Sequence, residues 1–279
     1  MTDFLAAYSS LINFLGINAL LALSMYVCLA CGQLSLASAA FMGIGAYAAT
    51  LLGLRAGWPF LPSLLAGAAL GCGIALLLGL PVIRLRGVYL AIATIGFGEI
   101  VRIIALNATP VTGGALGING IPPRTQTWHI YLALAVSLWV FWRIRRGPLG
   151  YAWEAIREDE TAARTMGIDV TRYLSIAFAL SGTLAGLAGG LAAHFTFFIG
   201  PNEYGFANAV TILTYAIVGG TGVFWGPVLG STLITLLPEV LRGVGVTAGA
   251  VRLFVNGLLL LLVIVFLPNG LASIFRKRV

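Results

Sequence analysis

Glu99 and Arg102 are three positions apart in an otherwise apolar stretch, IGFGEIVRIIAL, so both lie on one face if that stretch is helical. A charge at the centre of a bilayer costs about 2.5–3.5 kcal/mol on insertion scales, so such a pair belongs against protein or a watery cavity. The spacing leaves three readings open: a mutually neutralised structural pair, a lining for the path of a zwitterionic solute, or a placement beyond the headgroups. Asn107, Thr112, Gly113 and Gly114 follow soon after. They are candidates for an outer mouth, where free glycine N–H groups would be offered to a carboxylate.

The second group of interest is the polar stretch RIRRGPLGYAWEAIREDETAARTMGIDVTR, residues 143–172. Gly147-Pro148 should break the apolar segment before it. From Tyr151 to Met166, helix-forming alanines alternate with charges, and Gly167 is placed to end the helix with a left-handed cap. The stretch therefore predicts one amphipathic helix over Tyr151–Met166. Either it is a solvated connector, or it docks a partner protein. In the docking reading Ala162 and Ala163 lie close in a partner's cleft. Glu158 and Glu160 then pair with basic residues at its rim, with Glu154 and Arg164 beside them.

Other chemistries lack their residues. No G-x-x-x-x-G-K-[ST] phosphate loop occurs, and Gly219–Gly226 has no lysine, so ATP hydrolysis would have to come from another polypeptide or not occur. The two histidines, His129 and His194, match no H-E-x-x-H pattern and read as interfacial or packing residues. Cys28 and Cys31 are spaced C-x-x-C inside an apolar run with no second ligand pair, and read as buried packing residues. No cofactor and no metal site is expected, and the chain does not read as an enzyme.

The elements that must position these groups are membrane spans. Of 279 residues 59% are hydrophobic and 9% charged, against about 25% charged in an ordinary soluble chain. Mean hydropathy is +1.00. A water-soluble core stops growing near ~250–300 residues, so lipid must solvate much of this surface. Spans of about 20 apolar residues are predicted near 11–31, 34–54, 60–80, 88–107, 128–142, 174–194, 206–220, 224–240 and 251–268. The fold class is therefore all-α, a polytopic membrane protein of about nine spans (roughly eight to ten) in a single domain over residues 1–279. The uncertain count concerns the first two spans and the glycine-rich breaks, where a re-entrant segment could replace a crossing. Trp128, Tyr131, Trp139 and Trp142 would anchor the short fifth segment at the interfaces.

The net charge of +7 sits in short basic clusters between apolar runs, without a basic stripe for nucleic acid. Placing Arg84 and Arg86, Arg143–Arg146 and Arg276–Arg278 in the cytoplasm gives an outward N-terminus and a cytoplasmic C-terminus. The first 15 residues carry Asp3 and no basic cluster, so the first apolar segment is expected to stay rather than be cleaved as a signal. No appended soluble domain is expected.

Several longer motifs carry a family resemblance. They are GQLSL from Gly32 with AFMGIGAY from Ala40, RLRGVYLAI from Arg84 with GFGEIVR from Gly96, and TGG…GI…GIP from Thr112. The series continues with ETAARTMGIDVTRY from Glu160, GGTG with WGPVLG from Gly219, and PNGL from Pro268. Together they resemble the permeases of branched-chain amino acid ABC transporters, and within that family the M-type member of the permease pair. The resemblance implies a bacterial inner-membrane importer subunit whose 143–173 loop couples to an ATPase. It implies a second permease chain, two cytoplasmic ATP-binding subunits and a periplasmic substrate-binding protein, with ATP bound only by those partners. Branched-chain amino acids lead as substrate, with urea, short amides and aromatic acids as others. The alternatives are a stand-alone secondary transporter of amino-acid-like solutes, which would usually carry more intramembrane acids or histidines, and an integral-membrane enzyme, which would need clustered His, Asp or Glu.

Overall fold

The computed structural model describes residues 2–243, 257–258, 261 and 270–272, with side chains from Tyr8 to Glu239 in the first stretch. The helices are α1 (Thr2–Ala30), α2 (Ser38–Arg55), α3 (Phe60–Val82), α4 (Val88–Asn107), the short α5 (Thr109–Thr112), α6 (Thr127–Arg145), α7 (Pro148–Glu158), α8 (Glu160–Thr165), α9 (Val170–Thr196), α10 (Phe206–Gly219) and α11 (Gly226–Gly243). Two-residue strands β1 (Ile118–Asn119) and β2 (Phe198–Ile199) form one antiparallel ribbon, with Ile118 opposite Ile199. The fold is all-α and polytopic. Eight of the nine predicted spans coincide with α1, α2, α3, α4, α6, α9, α10 and α11. The ninth, near 251–268, lies almost entirely outside the described residues.

Among the described residues, five helices are long and apolar enough to cross a membrane: Tyr8–Ala30 of α1, α3, α4, α6 and α9. The 14 residues of α10 span only about 21 Å, short of a ~30 Å hydrocarbon core.

α9 is the central helix, packed most extensively on α3, α2 and α1. Its small residues make that possible. A Cβ on Gly45 of α2 would overlap the backbone of Gly186, and one on Gly182 would overlap that of Gly71 in α3. The three backbones touch directly, the way helices associate when lipid removes the hydrophobic driving force between them. Ser24 of α1 adds a buried polar tie, donating to the Ser181 carbonyl at 3.0 Å beside Ser38 at 3.2 Å. Asn18 of α1 donates to Thr235 Oγ1 of α11 at 2.9 Å.

α4 lies at the edge. Its face away from the bundle exposes Val88, Tyr89, Ile92, Ile100, Ile103 and Ile104. Inward it bonds α2's approach through Leu36 N–H to Thr94 Oγ1 at 2.9 Å, and the Phe97 and Phe41 rings stand 5.9 Å apart.

The connections gather at two opposite ends. At the arginine-rich end the turns 31–37, 83–87 and 220–225 meet the 146–169 segment. Arg145 Nη1 donates to the Gly222 carbonyl at 3.0 Å, and Gly32 rests on Arg157. Gly270 lies against Gly219 and Gly220 at this same end. At the ribbon end Arg55 donates to the Pro110 and Val111 carbonyls at 2.6 and 3.2 Å, and Arg124 to the Trp58 carbonyl at 3.3 Å. The aromatic residues of α6 mark both levels: Trp128 is exposed near its first turn, and Arg146 lies 4.2 Å over the Trp142 ring at its last.

Candidate docking segment and the α4 clamp

The segment after α6 is amphipathic but folds as two helices. Pro148 begins α7 at its first turn, where a missing N–H costs no hydrogen bond. Ala152, Trp153 and Ile156 form its buried side, and Trp153 Nε1 donates to the Tyr173 carbonyl at 3.1 Å. Tyr151, Glu154, Arg157 and Glu158 are exposed. The single helix expected over Tyr151–Met166 breaks at Asp159, whose backbone is extended (φ −153°, ψ 109°). The cause is a side-chain cap. Asp159 Oδ1 accepts from the N–H groups of Thr161 at 2.8 Å and Ala162 at 3.0 Å, which satisfies the first orphan donors of α8 and fixes Asp159 outside the helical region.

Two further expectations change at α8. Ala163 is 3% exposed and packs into the chain's own core, so only Ala162 of the alanine pair faces outward. Glu160, expected at the rim of a partner, turns inward, 16% exposed. Its carboxylate meets Arg86 Nε at 3.1 Å and Arg164 Nη2 at 2.8 Å. Gly167 ends α8 as its sequence position predicts, with φ +84°. Ile168 N–H bonds the Ala163 carbonyl and Gly167 N–H the Arg164 carbonyl, both at 3.1 Å, which is the Schellman arrangement. The outward side of the segment includes Glu154, Glu158, Ala162, Arg164, Gly167 and the 84%-exposed Met166, beside Tyr151 and Arg157.

Toward the ribbon end, Glu99 Oε2 and Arg102 Nη1 are 3.0 Å apart, with side chains 35% and 34% exposed. The pair is part of a larger clamp. Arg102 donates from Nε and Nη2 to Asn202 Oδ1 at 3.2 and 2.8 Å. Glu99 Oε1 accepts the N–H of Phe206 at 3.2 Å, so its carboxylate caps the first turn of α10 from another helix, where negative charge is favourable. Burial raises the neighbouring Glu203 carboxyl above its ordinary value.

The expected outer mouth is built differently. Asn107 donates back to the Ile103 carbonyl at 2.8 Å. Thr112 is buried and closes the end of α4, donating to the Ala105 carbonyl at 2.6 Å. The N–H groups expected to be free are in use: Gly113 bonds the Thr109 carbonyl at 3.0 Å, and Gly114 bonds Thr112 Oγ1 at 3.2 Å. These residues shape the turn after α4 and hold it beside the ribbon.

The sequence assigns Arg86 only to a basic cluster, and it predicts neither the Arg86–Glu160 pair nor the contacts of Asp159 and Asn202. Asp159 had a local signal, an acid directly before a short helix-forming run. Arg86 and Asn202 had none, because their partners are distant in the chain. The two histidines have structural roles. His129 forms a capping box with Gln126 at the start of α6, and His194 Nδ1 meets the Pro122 carbonyl at 3.1 Å. Cys28 and Cys31 are both buried, as expected.

Comparison with known proteins bears on the same regions. Residues 7–264 match the family described as branched-chain amino acid transport system, permease component. The high-affinity branched-chain amino acid transport system permease protein LivM of Salmonella typhimurium is 35% identical, over 95% of this chain and 68% of its own length. The Escherichia coli autoinducer 2 import system permease protein LsrC is 30% identical, over 70% of this chain and 62% of its own. LivH of Escherichia coli, a permease protein of the branched-chain system, is 29% identical over 52% of this chain and 45% of its own. No solved structure matches. The longer and closer likeness to LivM than to LivH agrees with the M-type motifs, and the chain belongs to the permease-component family of branched-chain amino acid transport systems.

Proposed function

We propose that this chain forms one half of the membrane passage of an ATP-driven importer, that it docks a separate ATPase through α7 and α8, and that it carries branched-chain amino acids. The observation that carries the reading is the α7–α8 segment. It is amphipathic and bonded to its own chain on one side. On the other it presents a small rigid surface that ends at a fixed left-handed glycine. Movement of an ATPase docked there would reach the spans directly, since α7 follows α6 and α8 leads into α9 through the four-residue turn Met166–Asp169.

Positive charge supports a cytoplasmic location for this end: Arg84, Arg86, Arg143, Arg145, Arg146, Arg157, Arg164 and Arg172 cluster there, while the described residues toward the ribbon end carry fewer, namely Arg55, Arg102, Arg124 and, at the far end of α11, Arg242. Gly270 at the arginine-rich end supports a cytoplasmic C-terminus. In this orientation the ribbon end would receive a periplasmic binding protein, and the membrane would be the bacterial inner membrane.

A second permease chain would complete the passage against the open face of α4, where a Cβ on Gly96 or Gly98 would meet nothing. Glu99 and Arg102 would border that passage, and Asn107, Thr112, Gly113 and Gly114 would shape its outer rim. Branched-chain amino acids are favoured over the solute named for LsrC because the LivM likeness covers more of the chain.

Uptake of labelled leucine into proteoliposomes holding this chain, its sister permease, the ATPases and the binding protein tests the reading. Uptake should require internal or external ATP on the ATPase side and stop when ATP is withheld. Uptake by this chain alone, driven by a proton or sodium gradient, would establish a secondary transporter instead.

A further inference from the structure

Glu160 lies on the docking segment, yet it faces its own protein. Its carboxylate is largely covered, while the two cations it binds, Arg86 and Arg164, are well exposed. Arg164 belongs to α8 itself, so that contact only stiffens the helix. Arg86 belongs to the turn between α3 and α4, one residue before Gly87. That glycine is the N-cap of α4, with φ +55° and open space around it, a backbone state that side chains rarely adopt. The pair therefore ties the docking segment to the turn that starts α4.

α4 is suited to receive motion. One side of it is open, and its ends are held by polar contacts. At the far end Glu99 and Arg102 bind Asn202 and the first N–H of α10. A continuous series of contacts runs from α8 through Arg86 and α4 to the start of α10.

We infer that Glu160 is a positioning residue for coupling: its pair with Arg86 moves α8 and the α3–α4 turn as one body. A displacement imposed on the docking segment then travels along α4 to the Glu99–Arg102 clamp and α10. The inference rests on the reading of α7–α8 as the ATPase dock. An ion pair this exposed adds little stability, so its value lies in holding two elements in register during a small movement. Glu160 keeps Arg164 when Arg86 is lost, so neutralising Arg86 leaves the fold of α8 intact.

The test uses the complete reconstituted transporter and measures solute imported per ATP hydrolysed, together with retention of the ATPase. Arg86→Gln and Glu160→Gln should keep the ATPase bound and hydrolysing, while transport per ATP falls about fivefold, the most that one exposed ion pair allows. A second arm uses Arg86→Cys with Glu160→Cys, after Cys28, Cys31 and Cys72 are replaced by alanine. Joining the two thiols with a short reducible bis-thiosulfonate linker should restore the ratio, and reduction should lower it again. A wild-type ratio in both neutral variants overturns the inference, and so does loss of uptake on linking. A wild-type complex that recruits no ATPase defeats the docking reading itself, and shows this before any variant is compared.

Discussion

Arg102 places Nε and Nη2 on the single side-chain oxygen of Asn202, at 3.2 and 2.8 Å, while its Nη1 reaches Glu99 at 3.0 Å. One guanidinium thus joins α4 to the turn before α10, and the carboxylate it neutralises caps α10. Glu99→Ala and Arg102→Ala should each destabilise the purified protein by about 1 kcal/mol, reduced from the cost at a buried pair because both groups are about a third exposed. The double variant should lose less than the sum of the two. Thermal unfolding in detergent measures all three, and strict additivity would show that the two side chains are not coupled.

Backbone contact at the centre of the bundle makes a different demand. Gly182→Val places a branched side chain where the Gly71 backbone already lies, and Gly186→Val does the same against the Gly67 backbone of α3. Overpacking of this kind typically costs about 1–3 kcal/mol, occasionally more. Both variants should give markedly less monodisperse protein by size-exclusion chromatography. Gly73→Val, which meets open space, should behave as wild type.

Those glycines also mark how far the sequence could be read. Apolar run length located α4 at residues 88–107 without error, because Gly87 and Asn107 interrupt the hydrophobic stretch on either side. The glycine content announced close helix contact, but nothing local says that Gly45 meets Gly186 rather than another small residue. Asp159 shows the limit at short range. Helix propensity alone favours one continuous helix there, and a single side chain accepting two N–H groups decides otherwise. Glu160 shows the limit at long range: its charge suggested a rim for a partner, whereas Arg86, remote in sequence, draws it inward.

The two-ended arrangement predicts accessibility. Leu116 and Met166 are 82% and 84% exposed at the ribbon and arginine-rich ends. In a background lacking the three native cysteines, Leu116→Cys should react in intact cells with a membrane-impermeant maleimide. Met166→Cys should react only after the membrane is opened. Labelling of both, or the reverse pattern, would refute the orientation.

The caps of the docking segment should matter to coupling more than to insertion. Asp159→Ala removes the acceptor of two N–H groups and should cost α8 about 1 kcal/mol. Gly167→Val forces a β-branched residue to φ +84°, at about 1–2 kcal/mol or more. Both proteins should insert at normal levels yet show weaker solute-stimulated ATP hydrolysis. Hydrolysis measured on reconstituted complexes, with membrane content by immunoblot, checks this. Because Ala163 is buried within the chain, a bulky residue there would report on its own packing and not on docking.

Ala162 is the position that separates docking from folding, since it is exposed, carries only a methyl group and sits at the centre of the α8 surface. Co-purification of the ATPase with Ala162→Trp, measured beside ATP-dependent leucine uptake, is the most direct test of a permease driven through this segment. The variant should enter the membrane and pair with its sister permease normally, but lose the ATPase and with it most of its uptake. Full ATPase recovery together with full ATP-dependent uptake would contradict the account and leave α7–α8 as a solvated connector.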